Sequence, residues 1–138
     1  MTVMTPVFAA GDLGVGFMIG QPVGVTAKKW VSSGQAIDAG AGWSIGRNPH
    51  FVLHSDYLWH KENALYFQDD TPLDLYFGVG GRLNFDDEIE LGVRVPLGVA
   101  YFFSDRGAEA FLELAPVMNL VPDTSMDLNA LVGLRIYF

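Results

Sequence analysis

Hydrophobic residues recur at every second position from residue 12 onward, and no stretch carries a convincing 3.6-residue period. A period of two belongs to an extended strand, whose successive side chains point to opposite faces. The alternation predicts eight strands at about 12-20, 23-31, 35-46, 50-60, 73-84, 88-103, 108-121 and 126-138. Turn-forming residues stand between them: Gln21-Pro22, Ser32-Ser33-Gly34, Gly46-Arg47-Asn48-Pro49, Phe85-Asp86-Asp87, Ser104-Asp105-Arg106-Gly107 and Val121-Pro122-Asp123-Thr124-Ser125. One connection is long, about 61-72, and its Ala64-Leu65-Tyr66-Phe67 suggests a short helical or capping segment.

Each strand separates into two unlike faces. The last one places Leu128, Ala130, Val132, Leu134, Ile136 and Phe138 on one side, with Asp127, Asn129, Leu131, Gly133, Arg135 and Tyr137 on the other. The sixth sets Ile89, Leu91, Val93, Val95, Leu97, Val99, Tyr101 and Phe103 against Glu88, Glu90, Gly92, Arg94, Pro96, Gly98, Ala100 and Phe102. The fifth and seventh repeat the split, and the earlier strands follow it with more noise.

Alternation alone does not say whether the apolar face lines the inside of a soluble ligand-binding barrel or faces lipid outside a transmembrane one. The opposite face decides. It is built from Gly14, Gly16, Gly24, Gly40, Gly42, Gly78, Gly80, Gly92, Gly98 and Gly133 with single charges between them. Glycine weakens a strand and gains nothing on a solvated face, whereas a narrow eight-stranded lumen needs small residues beside large ones. The charges have both signs, Lys28, Arg82, Arg94 and Arg135 against Asp38, Asp56, Asp74, Glu90, Glu109, Glu113 and Asp127, a set able to pair across a lumen. Trp43, Tyr57, Trp59, Tyr101, Phe103 and Phe138 fall toward strand ends, where membrane barrels carry aromatic girdles. The fold expected is an all-β, eight-stranded, antiparallel up-and-down transmembrane β-barrel over 12-138, apolar face outward, with a Gly-rich charged lumen.

Composition agrees. Half the residues are hydrophobic and only 17% are charged, against about 25% in soluble domains. No apolar run reaches the roughly 18 residues a membrane helix needs. A net charge of -8 with eight scattered Lys and Arg excludes a nucleic-acid footprint. Residues 1-11 form a separate N-terminal piece; Val3-Met4-Thr5-Pro6-Val7-Phe8-Ala9-Ala10-Gly11 reads either as the end of an export signal or as a simple tail.

The segment Gly133-Leu134-Arg135-Ile136-Tyr137-Phe138 resembles the C-terminal assembly signal of bacterial outer-membrane β-barrels, with alternating apolar residues and a terminal Phe. The whole span 12-138 resembles the small eight-stranded barrels of the OmpA and OmpX type. Gly92-Val93-Arg94-Val95-Pro96-Leu97-Gly98 and Glu113-Leu114-Ala115-Pro116 are similar to segments of small outer-membrane barrel proteins. The resemblance implies a Gram-negative outer membrane, both termini periplasmic, and recognition of Leu134, Ile136, Tyr137 and Phe138 by the barrel-assembly machinery. The outward connections near 21-22, 46-49, 85-87 and 121-125 are then all short, unlike the protruding loops of OmpX, and 61-72 is periplasmic.

Candidate chemistry is sparse. His50, His54, Asp56 and His60 share the lumen face, where same-face residues at i, i+2 and i+4 can converge on a metal or act as a base. The preferred account is a hydrogen-bonded polar filler, with no resident metal or cofactor. Ser55 and His54 are adjacent and point to opposite faces, which breaks the nucleophile and base contact that lipid hydrolysis requires. Met4, Met18, Met118 and Met126 have no ligand spacing, and Lys29 falls on the outward face. The expected role is structural, anchoring or protein-binding in the cell envelope, with membrane lipid and a periplasmic or membrane protein as partners. The alternatives are a lipid-modifying enzyme and a lipocalin-like carrier of a small apolar ligand.

Overall fold

The structure, a computed structural model, describes residues 12–20, 23–44, 49–67, 71–103, 107–121 and 124–138. The N-terminal piece 1-11 lies outside these residues, as do the expected turn 21–22 and parts of those at 46–49, 104–107 and 121–125. The chain is all-β. Its strands are β1 (Leu13–Gly20), β2 (Val23–Trp30), β3 (Gln35–Ser44), β4 (His50–Phe67), β5 (Thr71–Phe85), β6 (Ile89–Arg94), β7 (Leu97–Phe103), β8 (Ala108–Val121) and β9 (Ser125–Tyr137).

Every neighbouring pair is antiparallel, and β9 returns to pair with β1 from Gly14↔Tyr137 to Gly20↔Leu131. The nine segments therefore make a ring of eight places. The expected strand 88-103 appears as β6 and β7, both lying between β5 and β8. The break falls at Val95-Pro96. Proline has no N–H for the ladder, but register carries straight through: Gly78 N donates to Pro96 O at 3.0 Å and Val95 N to Pro116 O at 3.0 Å. One place in the ring is thus a single path with one donor missing.

A second departure is larger. The described residues of the stretch 61-72, 61–67 and 71–72, are strand rather than the expected helical or capping segment; β4 runs on to Phe67 and β5 begins at Thr71. Leu65↔Leu73, Tyr66↔Pro72 and Phe67↔Thr71 are cross-strand partners beyond a register shift between Lys61 and Leu65. β3 accompanies β4 only as far as Trp59 and β7 accompanies β5 only to Asp74, so the arm projects past its neighbours. The alternation of the ring strands is lost in this arm because only two strands order it and no shared interior selects one face.

The two faces of the ring are unlike in burial. Phe17, Phe77, Leu114 and Ile136 are 47%, 54%, 50% and 56% exposed, while Arg94 and Glu109 are 0% exposed and Lys28 is 1% exposed. This inverts the ordinary distribution, in which Lys, Arg and Glu are almost never fully buried and large apolar side chains are. The interior is not purely charged and glycine-rich, however. Met18, Leu58, Tyr76, Ala100, Phe111 and Leu131 pack together inside the ring as an apolar plug.

Outward-facing aromatics, exposed or half-buried, fall in two rows. Trp43, Phe51 and Phe85 are cross-strand neighbours near the 45–49 end, with ring centroids 5.1 and 5.9 Å apart. Trp59 stacks on Phe77 at 5.6 Å toward the other end, and Tyr101 on Phe103 at 5.7 Å. From Phe51 to Trp59 along β4 is about 26 Å at ~3.3 Å per residue.

Candidate functional site: the charged interior

Parity brings charges from seven strands, β2 to β6, β8 and β9, into the ring, and register pairs them in three groups. Toward the end where Trp30 and the β7–β8 connection lie, Lys28 Nζ on β2 donates to Glu109 Oε2 on β8 at 2.9 Å. Arg135 Nη1 on β9 donates to the other oxygen of Glu109 at 3.0 Å, and Tyr137 Oη donates to that same oxygen at 2.7 Å. The guanidinium of Arg135 also reaches Thr26 Oγ1 at 2.9 Å, lies 3.5 Å from Asp38 Oδ2, and covers the Phe111 ring at 4.1 Å. Lys28 donates to His60 Nε2 at 2.7 Å, and His60 Nδ1 faces Asp74 at 3.5 Å.

In the middle, Arg94 on β6 donates to Asp56 Oδ2 at 2.7 Å and to Glu113 Oε2 at 2.6 Å, with all three side chains at most 2% exposed. Tyr76 Oη donates to the other oxygen of Glu113 at 2.8 Å. Both carboxylates thereby have a cationic partner, shared between them, in an interior where an unpaired charge costs several kcal/mol.

Toward the opposite end, Arg82 donates to Asp127 Oδ2 at 2.8 Å, to Asn119 at 2.9 Å and to Asn129 at 3.1 Å. Asp127 is not enclosed; its side chain is 49% exposed at the rim. Glu90 is half-buried and accepts from Asn84 Nδ2 at 2.8 Å. Of the eleven charges expected inside, Lys28, Asp38, Asp56, Asp74, Arg82, Arg94, Glu109, Glu113 and Arg135 are buried, and Glu90 and Asp127 sit at the margin.

The histidine cluster is assembled differently from the expectation. His54 and Asp56 are together, Nε2 to Oδ2 3.9 Å, and the third member is Asp38 of β3, whose Cα is the direct cross-strand partner of Asp56. One donor atom from each of the three lies within 4.8 Å of the others. His50 is not in the group. It lies four residues along β4, beside Ser44 and with Asn84, Asp86, Asp87, Glu88 and Glu90 around a small mouth of about 160 Å³. Strand rise explains the outcome, since i to i+4 spans about 13 Å along a strand, whereas a cross-strand partner is near 5 Å away.

Space for the cluster is made by glycine. A Cβ on Gly40, the partner of His54, would stand 2.9 Å from His54 Nε2 and 2.9 Å from Met18 Cε, and a Cβ on Gly80 would strike Asp56 Oδ1. Ser55 is on the exposed face, its Oγ donating to Asp38 O at 3.0 Å, so it has no contact with the His54 ring that a hydrolase would need. The polar partners Thr26, Tyr76, Asn119, Asn129, Tyr137 and His60 share the parity of the charges, which is the signal by which each belongs to the interior.

A concavity of about 960 Å³ is lined by outward residues of β1 to β6 together with Thr26, His54 and Arg82 of the inner face. Its floor is a transverse row of small outward residues, Ala27, Ala39, Ser55 and Gly81, each the cross-strand partner of the next, with Val25, Leu53 and Leu83 beside it. No helix among the described residues is long and apolar enough to cross a membrane, which leaves the strands untouched as spanning elements. Comparisons with protein-family models, curated proteins and solved structures returned no match.

Proposed function

We propose that this chain is an integral β-barrel of the bacterial outer membrane, with an apolar wall in lipid, a filled lumen, and a structural, anchoring or protein-binding role in the envelope. The observation that carries the reading is the inversion of burial, with Phe77 and Ile136 more than half exposed while Arg94 and Glu109 are fully enclosed. In water such a surface drives association; in hydrocarbon it is the ordinary lipid-facing wall. Ring closure supports it, because a spanning sheet must have no unpaired edge in lipid. The aromatic rows support it too: about 26 Å along strands tilted ~40° is about 20 Å of height, near the ~25 Å apolar band of such barrels.

A pore is disfavoured by the Met18, Leu58, Phe111 and Leu131 plug and by the paired charges on either side of it. The same filling speaks against a carrier of apolar ligands inside the ring. The resemblance of Leu134, Ile136, Tyr137 and Phe138 to an assembly signal supports insertion by the barrel-assembly machinery. The β4–β5 arm, with Leu65 45% and Tyr66 59% exposed, is the element of choice for a periplasmic partner. The test is extraction and gel migration: the protein is expected to fractionate with outer membranes, to need detergent, and to migrate differently before and after boiling. A freely soluble monomer would sink the proposal.

A further inference from the structure

Asp38 and Asp56 stand directly opposite one another on β3 and β4, both 2% exposed, a placement in which like charges repel. Each has one oxygen answered by an arginine: Asp56 Oδ2 takes Arg94 at 2.7 Å and Asp38 Oδ2 lies 3.5 Å from Arg135. The other oxygens, Asp38 Oδ1 and Asp56 Oδ1, have no hydrogen-bond partner, and neither has Nδ1 of the buried His54. Other interior side chains, Arg82 and Asn129 among them, also keep an atom without a partner, but only at Asp38, His54 and Asp56 do three groups able to ligate an ion stand within 4.8 Å of one another among the described residues.

An opposed pair of enclosed carboxylates is relieved by a cation between them or by a shared proton. We propose that Asp38, His54 and Asp56 form an interior binding site for one divalent metal cation. Two carboxylate oxygens and one imidazole nitrogen are the donor set of borderline ions such as Zn²⁺, Co²⁺ or Mn²⁺. Donors about 2.0–2.2 Å from an ion are some 3–4 Å apart, so the present spread of up to 4.8 Å closes with small side-chain rotations. The His54 ring and the Asp56 carboxylate lie over the bare Cα atoms of Gly40 and Gly80, where a Cβ would collide with them. The ion would bridge β3 to β4 on the inside and neutralise the opposed carboxylates.

The test uses the full chain, folded in detergent micelles and stripped with a chelator, titrated with Co²⁺ by visible absorption and with Zn²⁺ by calorimetry. One equivalent of each ion is expected, competing for one site, with Zn²⁺ raising the unfolding temperature. His54→Gln and Asp38→Asn should each weaken binding at least about tenfold, and His50→Gln should leave it unchanged. Asp38→Asn removes the like-charge opposition and so keeps a folded protein in which binding is read directly; boiling-dependent gel migration confirms the fold of each variant. Absence of saturable uptake by the folded wild type would overturn the proposal. So would unaltered affinity in His54→Gln and Asp38→Asn, which would assign the ion elsewhere and leave the carboxylates sharing a proton.

Discussion

Arg94 and Glu113 meet at 2.6 Å inside the ring with side chains 0% and 2% exposed, and the second nitrogen of the same guanidinium holds Asp56 at 2.7 Å. One cation thus answers two enclosed carboxylates. Arg94→Ala leaves both unpaired, and the expected loss is about 3–5 kcal/mol, read from urea unfolding in lipid vesicles. Arg82→Ala should cost less than half as much, because its ionic partner Asp127 is 49% exposed and water replaces the lost contact. Equal losses would contradict the division into enclosed and rim charges.

Val79 lies midway along the ring-forming part of β5, 47% exposed, opposite Tyr57. Val79→Arg, two residues inside the Phe77 row, is expected to cost about 1–3 kcal/mol in a bilayer, between the values for arginine at the midplane and at the interface of a barrel wall. On a water-exposed strand the same change stays within about 0.5 kcal/mol. Vesicle unfolding of the variant therefore separates a lipid-facing wall from a hydrated one.

Gly80 and Gly81 are adjacent and face opposite ways. A Cβ on Gly80 would meet Asp56 Oδ1 and Ser55 O, whereas one on Gly81 meets only Gly92 O at 3.7 Å. Gly80→Ala should destabilise by about 1–3 kcal/mol through overpacking. Gly81→Ala should be neutral or stabilise by about 0.5–1 kcal/mol through reduced freedom of the unfolded chain. Unfolding midpoints measured side by side test the inward and outward assignment at single-residue resolution.

Phe138 is 54% exposed and its N–H donates to Leu13 O at 2.9 Å, while Tyr137 turns inward to Glu109. Phe138→Ala keeps that backbone bond, so refolding from urea into detergent should change by no more than about 1 kcal/mol. Insertion in cells should fall severalfold, because on the proposed reading the ring is a recognition mark. Unchanged insertion would remove that role from Phe138 and leave the fold untouched.

Much of the architecture was legible because parity is local. A residue's face depends only on its place in its own strand, so the alternation around Leu134 and Arg135 already sorted the outer from the inner set. Pro96 and the 61-72 stretch show the limit of that logic. A proline inside an alternating run leaves open whether the strand ends or passes through, and only Gly78 and Pro116, which supply the ladder bonds on either side, decide it. The arm beyond Lys61 loses its alternation where no interior exists to impose one.

By itself the sequence determined a set of amphipathic strands with glycine and charge on one face, a pattern that follows from side-chain chemistry at every second position. Only the tertiary structure decided which charge meets which. Lys28 bonds Glu109 across 81 residues and Arg135 bonds Thr26 across 109, and such pairs follow from register and from the closure of β9 on β1. The cluster of His54 and Asp56 turned for the same reason to Asp38 rather than His50. Neighbours along one strand are carried apart by its rise, while the partner on the next strand is held alongside by the ladder.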